Sequence, residues 1–98
     1  MRTWKVSRSV DALHRCMYRG RWLLVKPKEP IFWKGVWEDK LYYLVDGEVS
    51  IEMKTRVEVY KGPQFLNREA FFGRKPAEGE AIAQTECLLR WISTEVID

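Results

Sequence analysis

The sequence predicts a mainly β domain: an antiparallel β-roll or jelly roll with an N-terminal helix and one short internal helix. Three observations carry this expectation. Short runs of alternating apolar and polar residues follow one another from Arg21 onward, separated by Gly and Pro corners. One segment before Gly20 instead repeats with helical period. A second helical spacing, Phe65 to Phe72, interrupts the strands. The chain has 98 residues, enough for one core and too few for two, so residues 1–98 are read as a single domain.

Each element has its own reason. Val6, Val10, Leu13 and Met17 share one helical face, and Ser9 is placed as an N-cap with Asp11 in the first turn. Gly20 stops this helix, expected over residues 7–19. Arg21 to Val25 then reads as a strand, Pro27 and Pro30 bracket a turn, and Ile31-Phe32-Trp33 reads as a second strand. Gly35 to Lys40 is a polar loop carrying Trp37. The run 41–45 meets Asp46-Gly47 and then 48–53, which predicts a β-hairpin with Val49, Ile51 and Met53 on the core face and Glu48, Ser50 and Glu52 outside. Lys54-Thr55-Arg56 is the next tight turn, Val57 to Tyr60 a strand, and Gly62-Pro63 its end. After the helical run 65–72, with Gly73 as its stop, a polar loop leads to the last strands, 81–83 and 87–92. Ser93 or Thr94 is placed to open a helix.

Composition excludes several classes. Five tryptophans among 13% aromatic residues argue against disorder. No apolar run approaches the roughly 20 residues of a membrane span, and no signal-peptide pattern opens the chain, so a cytoplasmic protein without a membrane partner is expected. Residues 1–28 hold eight basic groups and one acid, and the rest hold nine basic and thirteen acidic groups. This asymmetry reads as a basic helix against an acidic body, since no nucleic-acid motif accompanies it and no nucleic-acid partner is expected. Cys16 and Cys87 form no metal-binding pair, and His14 is the one histidine, so neither a metal cofactor nor nucleophilic catalysis is expected. The two thiols are read as reduced. Glu48, Glu52 and Glu58 are placed on a solvated sheet face.

The order of motifs resembles the cyclic-nucleotide-binding domain family. The turn Lys26-Pro27-Lys28-Glu29, the strand Ile31-Phe32, the run Asp39-Lys40-Leu41-Tyr42 and the corner Gly47-Glu48-Val49 are similar to the first half of that domain. Lys28 and Val36 stand where the family has Gly and Asp. Lys61-Gly62-Pro63-Gln64-Phe65 and the stretch from Ala83 to Trp91 resemble its second half, so that the likeness covers most of residues 10–97. The family holds its nucleotide with a Phe-Gly-Glu turn and a later Arg: the turn cradles the cyclic phosphate, the Glu accepts from the ribose, and the Arg pairs with phosphate oxygens. Here Phe65 is followed by Leu66 and Asn67, and the Arg position falls near Ala77 and Glu78. The run Phe65-Leu66-Asn67-Arg68-Glu69-Ala70-Phe71 is more similar to the Popeye branch, in which the turn reads Phe-Ile/Leu-Asp-Ser-Pro-Glu-Trp. The family domain continues into two helices, and this sequence stops where the first would start, so the resemblance implies a lid from a partner chain or from the N-terminal helix.

The expected function is therefore a non-catalytic regulatory or small-ligand-binding module. Phe65, Leu66, Asn67 and Arg68 form the candidate site, with Arg74 and Lys75 supplying charge toward a cyclic nucleotide or another small anionic ligand. The alternative is a homo-oligomeric interaction domain with no ligand. A homodimer or higher oligomer is expected in either case, with Trp4, Trp37 and Trp91 as candidate interface residues.

Overall fold

Corners, more than strands, shape the chain in the computed structural model, which describes residues 19–93. Eight strands and one short helix follow one another: β1 Arg21–Val25, β2 Pro30–Phe32, β3 Lys40–Asp46, β4 Glu48–Glu52, β5 Val57–Lys61, β6 Gln64–Phe65, α1 Arg68–Gly73, β7 Glu80–Ala83 and β8 Cys87–Ser93. They make two antiparallel sheets, in the orders β1-β8-β3-β6 and β2-β7-β4-β5. Every connection but one carries the chain from one sheet to the other. The exception is β4 to β5, a true hairpin closed by Met53 N donating to Arg56 O at 2.8 Å. This is a jelly roll: a long antiparallel ribbon whose tip is the Lys54–Arg56 turn, rolled up so that its halves face each other. Apart from Arg19, which stands in a turn, the expected N-terminal helix lies outside the described residues, as does Thr94. Ser93 closes β8 instead of opening a helix.

The first corner is the Lys26–Glu29 turn, closed by Glu29 N to Lys26 O at 3.1 Å and braced by Lys26 N to the Glu29 carboxylate at 2.8 Å. Pro27 presets φ at its second position, and Lys28 sits at φ +74, where this kind of turn favours glycine. The left-handed conformation is kept although the glycine is not, and the main chain shows why. Lys28 N donates to Ala83 O at 2.7 Å and Ala83 N to Glu29 O at 3.0 Å, tying the corner to β7.

The Asp46-Gly47 hairpin does not form, because the strands on either side of it belong to different sheets. β3 pairs with β8 and β6, whereas β4 pairs with β5 and β7. The register of β3 on β8 shifts by one residue between Leu44 and Asp46, and such a bulge bends its strand. Gly47 follows at φ +114, and a Cβ there would lie 2.8 Å from both Cys87 Sγ and Glu86 O. The bulge and the glycine turn the chain across the core instead of back along its own sheet. The terminal strands 81–83 and 87–92 are likewise present but in opposite sheets.

Between the sheets lies the main core. Leu44, Val49, Ala81, Ala83, Cys87 and Leu89 have no accessible surface there, packed with Val25, Phe32, Tyr42 and Ile51. Ser50, expected outside, is buried, because Gln84 Nε2 reaches over to donate to its hydroxyl at 2.6 Å. Cys87 is a buried free thiol, donating to Glu48 O at 3.3 Å and to Thr85 O at 3.2 Å. The opposite face of β3 carries a second cluster. Leu41 and Ile92 pack there with Phe71 of α1, joined by Tyr43, Phe65 and Phe72. Alternation along β3 thus feeds Tyr42 and Leu44 to one core and Leu41 and Tyr43 to the other.

Two substitutions test the corners. Lys28→Gly relieves a left-handed side chain and is expected to raise stability by roughly 0.5–1 kcal/mol, read as a higher urea midpoint at unchanged m-value. Gly47→Ala places a Cβ against the Glu86 carbonyl and is expected to cost more than about 1 kcal/mol in the same measurement. A neutral result would show that this corner relaxes.

Candidate functional site

Between the β4–β5 hairpin and the connection from β6 through α1 to β7 the roll leaves an open cleft of about 780 Å³. Phe32, Ile51 and Leu66 supply core side chains to its lining. Met53, Arg56, Glu58 and Tyr60 line it from the hairpin side, and Lys75 to Gly79 from the other.

Asn67 holds the far wall. It is 7% exposed, and its side-chain amide bonds with the main chain of β3 at both ends. Oδ1 accepts from Tyr42 N at 2.9 Å, and Nδ2 donates to Lys40 O at 2.8 Å. Leu66 N, one residue earlier, donates to Tyr42 O at 3.1 Å. The amide thus extends the β6 ladder by one step in a side chain's atoms, where the main chain has already turned toward α1. Phe65 belongs to β6 and pairs with Tyr43, their rings meeting edge-on at 4.8 Å, so the helix expected from 65 begins only at Arg68. It closes with Arg74 in the left-handed conformation, φ +53, whose N–H donates to Phe71 O while Lys75 N donates to Ala70 O. Gly73 is its last helical residue, and Arg74 takes the cap conformation expected of a glycine.

A main-chain clasp completes the wall. Gly35 N donates to Ala77 O at 2.9 Å, and Ala77 N donates to Val36 O at 3.1 Å. Ala77 is buried and its methyl group faces both core and cleft.

Of the residues singled out in the sequence, Phe65, Leu66, Asn67, Arg68 and Lys75 come together on the cleft. Arg74 does not line it. Its guanidinium lies 5.7 Å from the centre of the Trp37 ring. Trp37 is half-buried, and its buried Nε1 has no hydrogen-bond partner among the described residues. Trp91 is also half-buried, packed on the main core with the Arg21 and Lys40 cations 5.9 and 5.3 Å from its ring. Trp4 lies outside the described residues. The tryptophans open to solvent are Trp22 and Trp33, each 54% exposed.

One feature of the cleft escaped the sequence reading. Arg56, Glu58 and Tyr60 recur at every second position and form a bonded row along the hairpin. Arg56 Nε donates to Glu58 Oε2 at 3.1 Å, and Tyr60 Oη donates to Glu58 Oε1 at 3.0 Å. Burial raises the Tyr60 phenol above its ordinary pKa, and the Glu58 carboxylate adds to the shift, so the phenol stays a donor. Glu58, read as a solvated carboxylate, lines the cleft. The two-residue period of charged and aromatic side chains was the signal available.

Among the described residues the fold is thus an eight-stranded β-roll whose helical connection walls an open cleft. The sequence profile described as "cyclic nucleotide-binding domain" matches residues 22–98. The chain belongs to that family. Its fold is similar to that of the Thermus thermophilus catabolite activator protein, with a TM-score of 0.75 at 15% identity over 90% of this chain and 44% of that one. It is similar to PKAR CBD2 solved with Sp-2Cl-cAMPS, with a TM-score of 0.71 at 19% identity over 78% of this chain and 53% of that one. The regulatory subunit of a cAMP-independent protein kinase A from Trypanosoma brucei is a third, with a TM-score of 0.70 at 13% identity over 74% of this chain and 28% of that one. This chain thus spans about half the length of the first two. At these identities the likeness establishes the fold. No curated protein matches the chain in sequence. No helix of the described residues is long and apolar enough to cross a membrane.

The Asn67 bridge is open to direct test. Asn67→Ala strands a buried N–H and a buried carbonyl on β3 and is expected to cost roughly 2–4 kcal/mol in denaturant unfolding. Asn67→Asp keeps the acceptor for Tyr42 but needs a proton to donate to Lys40 O, which raises its folded pKa. Its deficit is therefore expected to shrink as pH falls through the carboxyl range. A deficit independent of pH would show that the amide's donor contributes nothing.

Proposed function

We propose that this domain is a non-catalytic, cytoplasmic regulatory module that takes a small anionic ligand with an apolar or planar body, and that it lacks a tight cyclic-nucleotide clamp. The observation that carries this reading is a pair of cleft cations, Arg68 and Lys75, on a lining that also holds Glu69 and Glu78. Neither cation has a carboxylate within ion-pair distance among the described residues. Arg56 is already paired with Glu58. Tyr60, Met53 and Phe65 offer apolar and aromatic surface beside these cations.

The clamp is missing for physical reasons. At the family's ribose position, Asn67 is turned into β3 and held there at both ends of its amide. At the phosphate position, Ala77 offers a methyl group, with the Glu78 carboxylate beside it. The Phe65-Leu66-Asn67 turn fits the Popeye-like part of this reading, a turn rebuilt without the usual Gly and Glu. Among the similar structures, one regulatory subunit belongs to a cAMP-independent kinase, which supports a regulatory role without cAMP.

Backbone amide NMR titration tests the reading with cAMP, cGMP, AMP and pyrophosphate as probes. The expected result is shifts confined to 56–60, 65–70 and 75–79, with cyclic nucleotides binding no tighter than the millimolar range. Ala77→Arg adds a charged donor to the cleft, worth about 1.5–3 kcal/mol, and is expected to tighten cAMP at least about tenfold. Micromolar cAMP binding by the unsubstituted chain would overturn the missing clamp. No cleft shift with any probe would overturn the anionic ligand.

A further inference from the structure

Among the described residues, β5 has one edge without a partner strand. The hydrogen-bonding parity of the hairpin follows from its two ends: Met53 N bonds to Arg56 O, and Gly62 N bonds to Gly47 O. Paired residues alternate between these limits in the register Ile51 to Glu58 and Val49 to Tyr60. The main-chain groups of Glu58 and Tyr60 therefore point at β4, and those of Val57, Val59 and Lys61 point away from it. β5 is the outer strand of its sheet. Strand edges are commonly blunted by charge, proline or a bulge. β5 has no proline or bulge across Val57–Val59, and its one charge there, Glu58, is bonded by Arg56 and Tyr60 on the cleft side. Both valines are open, 60% and 57% exposed.

We propose that two copies of this chain join along β5, antiparallel, about a two-fold axis through Val59. This register places Val59 opposite its counterpart and Val57 opposite the other copy's Lys61. All three residues present their main-chain groups outward, so each outward N–H meets an outward carbonyl. The Lys61 carbonyl already accepts from Gln64 Nε2 at 2.9 Å and keeps its second lone pair for the partner. Charge agrees with the register. Lys61 meets an apolar valine, Glu58 meets a neutral tyrosine, and no like charges stand directly opposite. The other edge of the same sheet, β2, is three residues long and opens with Pro30. A second copy thus fits β5 better than β2 does, and the pair closes as an eight-stranded sheet without growing further.

The pairing is independent of whether a ligand binds, and the full chain tests it. Light scattering is expected to give about twice the 11.7 kDa chain mass. In a Cys16→Ser background, Val59→Cys is expected to form a symmetric disulfide on oxidation. Facing residues in this register lie about 5.5 Å apart at Cα, within disulfide reach. Val57→Cys is expected not to form one, because its counterpart lies four residues along the strand, roughly 13 Å away. Val59→Lys sets two cations face to face while sparing the ladder to β4, and is expected to halve the mass at an unchanged circular dichroism spectrum. A monomer at high concentration, equal cross-linking at 57 and 59, or an open-ended series of masses would each overturn the proposal.

Discussion

The cleft depends on one side-chain amide. Helix α1 spans Arg68–Gly73, too short to hold itself in water. Asn67 fixes its start by bonding β3 through both ends of the amide, while its own carbonyl accepts from Phe71 N at 2.9 Å. Phe71 then buries against Leu41 and Ile92, and Arg74 closes the last turn. Without the amide, the chain leaving β6 has no hydrogen bond to β3 beyond Leu66 N among the described residues, and the wall that carries Arg68 and Lys75 is held to that strand by the packing of Phe71 on Leu41. The residue that resemblance places at the ribose is thus a framework residue in this structure.

Much of the architecture was legible because it follows local rules. Gly and Pro mark the corners, alternation marks the strands, and the Lys54–Arg56 turn forms as its composition predicts. What failed was the pairing of strands. Asp46-Gly47 between two alternating runs is a strong hairpin signal, yet β3 finds its partner in β8 and β4 in β7. Those partners lie tens of residues away, and no local pattern encodes them. The bulge at the end of β3 is set by the same distant pairing. Phe65 was drawn into the helix by its apolar spacing, but the Tyr43 ring across the ladder fixes it in β6. Of the candidate site, the 65–75 run brings Phe65, Leu66, Asn67, Arg68 and Lys75 together on the cleft, as their closeness in sequence suggests. Arg74 lies instead by the Trp37 ring, a contact made by a loop far upstream.

Strand β5 shows how two environments share one element. Its even-numbered residues, Glu58 and Tyr60, line the cleft and bond one another. Its odd-numbered residues, Val57 and Val59, lie open to solvent on the opposite face. Period-two geometry keeps the two sets apart, so the cleft row needs nothing from the outward face. The electrostatics of the row are settled within it, since the Glu58 carboxylate accepts from Arg56 and Tyr60 together.

The clasp between Gly35, Val36 and Ala77 is made of peptide groups alone. Its hydrogen bonds therefore do not pass through the side chain at position 77. A point on the cleft wall is thus held by the main chain, while its side chain is confined by the core on one side and borders the cleft on the other. The methyl group of Ala77 is therefore sized by packing as much as by the cleft it borders.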